Sequence, residues 1–253
     1  MPKTLFAGNW KMHKTAAETL SYLDVFLPLA ASSPSDIDIV VAPPFTALPA
    51  AGQRLSGETR VALGAQNVNW ETQGAFTGEI SVPMLVEHGV KYVIVGHSER
   101  RAYCGETDLT VNLKIRTLLA HGLTPIVAVG ELLSERESGR TDERIALQIE
   151  IGLQNLSAEQ MRRLIVAYEP IWAIGTGENC DPVEANRVMG RIRSTHEGLR
   201  DATILYGGSM KAENVAQYMR QENVNGGLVG GASLDPAGFA TLVENAAIRQ
   251  TQG

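Results

Sequence analysis

Glu169 stands at the end of an apolar, strand-like run, Leu164-Ile165-Val166-Ala167-Tyr168, and Pro170 follows at once. Proline lacks an N–H and fixes φ, so the strand stops there. Next come an apolar tip, Ile171-Trp172-Ala173-Ile174, and two glycines, Gly175 and Gly177, around Thr176. A stiff hinge, a greasy cover and a flexible glycine end have the composition of a lid over residues 170–177. A carboxylate under a cover that excludes water is a device for proton abstraction. A buried strand followed by an ordinary loop would carry the same Glu-Pro pair, so the pair alone does not separate the two readings.

Other residues offer complementary chemistry. Asn9 and Lys11 follow another apolar run and lie two apart, so in extended backbone both side chains point one way and Trp10 points outward. Lys11 can hold positive charge near a reacting oxygen, and Asn9 can donate a hydrogen bond. In GHSERR, residues 96–101, His97 ends a strand and Ser98 is the expected N-cap of a helix. The positive end of a helix disfavours imidazolium, which leaves a neutral ring able to donate from one nitrogen. Glu99 could orient Lys11 or join a proton network. Tyr206-Gly207-Gly208-Ser209 and Val229-Gly230-Gly231-Ala232-Ser233 place glycines ahead of helices, where bare N–H groups make an anion site. His13, His88, His121 and His196 lack such surroundings and read as surface or packing residues. Neither a dinucleotide nor a Walker fingerprint is present, and no spacing suits a metal. No cofactor and no metal are expected.

These residues can act together only if the fold gathers them. Eight short β-rich runs recur along the chain: Leu5–Asn9, Ile37–Ala42, Val61–Gln66, Tyr92–Gly96, Thr124–Val129, Ile165–Glu169, Thr203–Tyr206 and Gly227–Val229. Several are continuously apolar, as strands buried on both faces of a parallel sheet must be. Helical segments fall between them: Thr15–Ala30, ending near Pro28; Thr107–His121, stopped by Gly122; Thr141–Leu153; Pro182–Glu197, capped by Asp181; Lys211–Met219; and Asp235–Ala247. No linker or shift of composition divides the 253 residues. The pattern predicts one domain, a closed (β/α)8 barrel. A doubly wound open sheet is the alternative, but it has fewer strands and a Gly-rich first turn, which Gly8-Asn9-Trp10-Lys11 is not. In a barrel, chemistry sits at the C-terminal strand ends and phosphate commonly after strands seven and eight. Each residue singled out above follows a strand.

Composition narrows the partners. A net charge of −6 argues against non-specific binding of nucleic acid or membrane. An anionic substrate remains open, because surface charge is screened beyond about 8 Å. Cys104 and Cys180 form no disulfide framework and fit a reducing compartment. The start, MPKTLFAGNWKMHK, has no signal-peptide core, and no run approaches the ~18 apolar residues of a membrane span. A soluble, cytosolic protein is expected.

The segments FAGNWKM (6–12), GAQNVNWETQGAFTGEIS (64–81), GHSERR, PIVAVGE (125–131), AYEPIWAIGTG (167–177), YGGSM (206–210) and LVGGASL (228–234) together resemble the triosephosphate isomerase family, in its order and spacing, over essentially the whole chain. The resemblance implies interconversion of dihydroxyacetone phosphate and glyceraldehyde 3-phosphate through an enediolate, without a cofactor. By position it implies Glu169 as the base, a neutral His97 polarising the carbonyl and passing protons between oxygens, and Lys11 stabilising the enediolate. Asn9 and Glu99 would assist, and backbone N–H groups at Gly175, Ser209, Gly230 and Gly231 would bind phosphate. In the family, the segment at 66–81 inserts into a second subunit, so a homodimer is expected, with Thr77 near the neighbour's Asn9, Lys11 and His97. A different phosphate-binding barrel would show a changed lid or a replaced base. A silent barrel acting as a scaffold would show damage at Lys11, His97 or Glu169. The sequence shows neither. It departs from the family at Ala128, where Cys is usual, and at Cys104, where an aromatic is common; Cys104 reads as packing. At Asn225 the family has an Asp paired with an Arg. Arg193 is the candidate partner, expected to bond the Asn225 amide with some loss of robustness in folding or assembly.

Overall fold

The computed structural model describes residues 2–174 and 179–247. Its eight strands are β1 (Thr4–Asn9), β2 (Ile37–Ala42), β3 (Val61–Ala65), β4 (Tyr92–Val95), β5 (Thr124–Val129), β6 (Ile165–Tyr168), β7 (Thr203–Tyr206) and β8 (Gly226–Val229). They pair in parallel in sequence order, and β1 closes on β8 with Leu5 opposite Gly226 and Gly8 opposite Val229. The closed barrel is the expected fold, and each strand ends within one residue of its expected bounds.

Side chains alternate across the barrel wall, and both faces are dry. Leu5, Ala7, Val40, Ala42, Ile94, Ile126, Ile165, Ala167, Leu205 and Leu228 fill the interior. Their strand neighbours Phe6, Ile39, Val41, Val127, Val166 and Ile204 pack outward into a second core under the helices. This double burial explains why the strands read as unbroken apolar runs. Trp10 does point outward, yet it is fully buried in that outer core, 4.5 Å from the Tyr22 ring.

The helices are α1 (Ala16–Ala31), α2 (Leu48–Arg54), α3 (Val82–Glu87), α4 (Ser98–Tyr103), α5 (Asp108–Ala120), α6 (Leu133–Glu137), α7 (Thr141–Gly152), α8 (Ala158–Met161), α9 (Pro182–Thr195), α10 (Val215–Met219) and α11 (Pro236–Ala246). Asp181 caps α9 as expected, accepting the Val183 N–H at 2.9 Å. Helix α1 does not end at Pro28; it runs through it to Ala31. Pro28 and Asp24, whose carbonyl loses its partner, are on the exposed face, while Phe26, Leu27 and Ala30 anchor the last turn in the core. Water can therefore satisfy the orphan carbonyl. Helix α10 is shorter than expected, because Asn214 Oδ1 accepts the Lys211 N–H and makes a turn ahead of it. Both cysteines are free; Cys180 is buried and Cys104 is exposed rather than packed.

Candidate active site

At the C-terminal rim of the barrel a cavity of about 250 Å³ is lined by Asn9, Lys11, His97, Glu169, Ile174, Ser209, Gly230 and Gly231, with Gly207, Gly208, Met210, Lys211, Leu228 and Ala232. Residues separated by more than 200 positions meet here only because β1 and β8 are neighbours.

Glu169 follows β6 and is 2% exposed. Its backbone N–H donates to Val129 O at 2.8 Å, which ties the end of β6 to β5. The neighbouring wall has no room for side chains. A Cβ on Gly130 would fall 1.8 Å from Glu169 O, and one on Gly207 2.9 Å from Glu169 Cγ. Glycines there allow the rim to close around the carboxylate. Glu169 Oε2 accepts the Ser98 N–H at 2.9 Å, and Oε1 lies 3.1 Å from His97 Nε2.

His97, not Ser98, caps helix α4: its Nδ1 accepts the Glu99 N–H at 3.2 Å. An acceptor nitrogen carries no proton, so the ring proton is on Nε2, facing Glu169 and the cavity.

Lys11 reaches the cavity by a different backbone from the extended one expected. The strand pairing ends at Asn9 opposite Ala42, and Lys11 turns into the left-handed region at φ 51°. Asn9 Oδ1 accepts the Lys11 N–H at 3.1 Å, and Gln66 Nε2 donates to Lys11 O at 2.9 Å and to Ala42 O at 2.8 Å. Such a conformation costs about 1–3 kcal/mol and persists only when its surroundings enforce it. Gln66 is thus a supporting residue that the sequence did not single out; its only signal was its place just after β3. Lys11 Nζ pairs with Glu99 Oε1 at 2.6 Å, one of the two arrangements expected of Glu99.

The start of the expected lid is anchored from behind. Ile171–Ala173 form a single 3₁₀ turn after Pro170, and Ile174 lines the cavity. Trp172 Nε1 donates to Glu131 Oε1 at 2.9 Å, and Tyr168 OH to the same oxygen at 3.1 Å. Arg136 lies 4.4 Å over the Trp172 ring and pairs with Glu184 at 3.3 Å. Ser209 Oγ donates to Ala173 O at 3.4 Å. Glu131 has no exposed surface, and burial pushes its carboxyl above the ordinary range. The sequence pointed to it only as the end of PIVAVGE. Gly175, Thr176 and Gly177, the rest of the expected lid, lie outside the described residues.

A third buried carboxylate supports the histidine strand. Glu106 accepts the Gly96 N–H at 2.7 Å and pairs with Arg100 at 2.8 Å and Lys114 at 3.0 Å. Burial alone would raise its pKa, but Lys114 and these donors hold it below the usual carboxylate range. Lys114 Nζ also donates to Asn67 Oδ1 at 2.8 Å, at the root of the 66–81 segment. That segment is closed at its base by Asn69 N to Ile80 O at 2.8 Å, and residues 71–79 are exposed. Thr77 is among them and does not line the cavity of its own chain. Among the described residues, no group of His, Cys, Asp and Glu is arranged to hold a metal ion, and no helix is long and apolar enough to cross a membrane.

The family model for triosephosphate isomerase matches residues 4–246. The triosephosphate isomerase of Acaryochloris marina is 53% identical over 96% of this chain and 99% of its own length. That of Nostoc punctiforme is 52% identical over 96% of this chain and 98% of its own.

Proposed function

The chain belongs to the triosephosphate isomerase family and interconverts dihydroxyacetone phosphate and glyceraldehyde 3-phosphate, and we propose that Glu169, His97, Lys11 and Asn9 do its chemistry. The observation that carries this assignment is the contact of Glu169 with His97 Nε2 at 3.1 Å in a buried cavity that also holds Lys11. The substrate phosphate binds backbone N–H groups of Ser209, Gly230 and Gly231. The carbonyl oxygen then lies toward Asn9, Lys11 and His97. His97 Nε2–H turns from Glu169 to that oxygen and polarises it.

Both Glu169 oxygens have partners in the structure, Ser98 N–H and His97. Substrate takes His97 away, which frees the carboxylate to turn onto the carbon acid. Ile174 covers it, and loss of water raises its basicity. Glu169 carries the proton from one carbon to the other, while His97 moves protons between the two oxygens. Lys11 stays near the enediolate oxygen, released from or shared with Glu99.

The 66–81 segment supports a homodimer. Its residues 71–79 are exposed, and Phe76 within it, Met12 after β1 and Tyr103 in α4 leave apolar surface exposed at 44%, 94% and 84%. In the dimer Thr77 approaches the neighbour's site and props Lys11. A concentration-independent monomer mass in solution, with full activity, would refute this assembly. A cytosolic location follows from the glycolytic reaction. For the chemistry, conversion of glyceraldehyde 3-phosphate is followed by coupled NADH consumption beside Glu169→Gln. Turnover that collapses in the variant supports the assignment; equal, negligible rates in both proteins would identify a silent barrel.

A further inference from the structure

Arg193, on α9, is held at the end of the barrel opposite the catalytic rim. Its Nη1 donates to Arg200 O at 3.0 Å and Ala202 O at 2.7 Å, and its Nη2 to Asn223 O at 3.3 Å and Asn225 Oδ1 at 2.5 Å. Asn225 Oδ1 also accepts the Ile204 N–H at 3.0 Å, so the amide bridges the starts of β7 and β8. The four acceptors are three peptide carbonyls and a neutral amide. They satisfy the guanidinium's geometry and leave its charge uncompensated. Among the described residues no carboxylate forms an ion pair with it within 4.0 Å. Burial lowers its pKa despite the more distant Asp201 and Glu222.

The fifth donor points elsewhere. Arg193 Nε–H has no acceptor among the described residues, and it is not sealed from solvent. Arg193 lines a surface hollow with Ser194, His196, Glu197, Arg200 and Asn223. His196 Nδ1 accepts the Gly198 N–H at 3.0 Å, so the His196 ring proton is on Nε2 and open to a ligand. The hollow thus combines a half-buried cation, a second guanidinium and a ring donor against, among the described residues, a single lining carboxylate, Glu197.

We propose that this hollow is an oxyanion site, for a phosphate-type anion, that supplies the counter-charge Arg193 lacks. The anion accepts from Arg193 Nε and from Arg200 and His196 at the rim, a donor set suited to tetrahedral oxyanions. A ligand bound by the folded state alone raises the unfolding midpoint, so stability reads the site directly.

Thermal unfolding in sodium phosphate and in sodium chloride of matched ionic strength tests it, on the unaltered protein, Arg200→Ala and Asn225→Asp. Phosphate also enters the catalytic cavity, but that share of the gain is common to all three. Arg200→Ala removes a ligand donor. Asn225→Asp places a carboxylate on Arg193 and neutralises the field that draws the anion. The phosphate-dependent gain in midpoint should fall by half or more in each variant, with KM for glyceraldehyde 3-phosphate unchanged. Equal gains in all three proteins would overturn the site. If Asn225→Asp does not fold, Arg200→Ala decides alone.

Discussion

Glu169 and Glu131 stand just beyond the ends of adjacent strands, β6 and β5, and have 2% and 0% of their surface exposed. Glu169 lines the cavity, and its donors, Ser98 N–H and His97, include one that substrate can displace. Glu131 lies behind the wall. Among the described residues its two donors, Tyr168 OH and Trp172 Nε1, fall on one oxygen, and the other oxygen is buried without a partner. Under the proposed assignment, equal burial serves different ends. A carboxylate becomes a base when it faces the reacting atom through exchangeable bonds; facing the lid through fixed bonds, it becomes an anchor. Glu106 is a third case, buried but paired with Lys114 and Arg100, and so purely structural.

The sharpest break of this contrast is Glu169→Gln. It should lower kcat by about 10²–10⁴ with the fold intact, since the proposed general base is lost; a smaller loss in the coupled assay would shift the role elsewhere. Glu106→Gln should leave the rate of folded protein near normal but cost about 3–5 kcal/mol of stability, because it strands the Lys114 charge in the interior. Denaturant unfolding measures this, and an unchanged midpoint would deny the pair its structural role. Asn225→Asp gives Arg193 a charged partner and should stabilise by about 1–3 kcal/mol. Glu131→Gln keeps both bonds to Oε1 and removes the charge, so kcat should fall only about fivefold or less, as charge assistance is lost while both bonds stay.

The two structural carboxylates should also give opposite pH dependences. Glu106 has a lowered pKa, so its stabilisation is present above the unfolded-state pKa and is lost as pH falls through the folded one. Glu131 has a raised pKa, so stability is lost as pH rises from the unfolded-state value through the folded one. Compared with wild type across acid and neutral pH, Glu131→Gln should gain relative stability as pH rises and Glu106→Gln should lose it. Slopes of one sign in both would show that burial, not pairing, governs them.

Much of the fold was legible because its signals are local. Runs such as Ile37–Ala42 and Thr124–Val129 kept their expected bounds, since strands dry on both faces leave little choice of residue. Short helices such as α2 and α8, seven and four residues long, gave no periodic signal to read. Pro28 misled because a chain-local rule stops helices at proline, whereas its solvated face and the core under Phe26 decide otherwise. The expected bond between Arg193 and the Asn225 amide is present.

The sequence alone determined which groups could do chemistry: a carboxylate before a proline hinge, a histidine at a strand end, a lysine, and glycines ahead of helices, all following strands that had to be buried on both faces. Tertiary structure alone decided how those groups stand. It set the left-handed turn of Lys11 under Gln66, the ring proton of His97 through Glu99 N–H, and the different surroundings of Glu169 and Glu131. Residue type and spacing carry covalent chemistry and local propensity. Partners 24 to 88 positions apart, such as Gln66 with Ala42 or Lys11 with Glu99, meet only when the barrel closes.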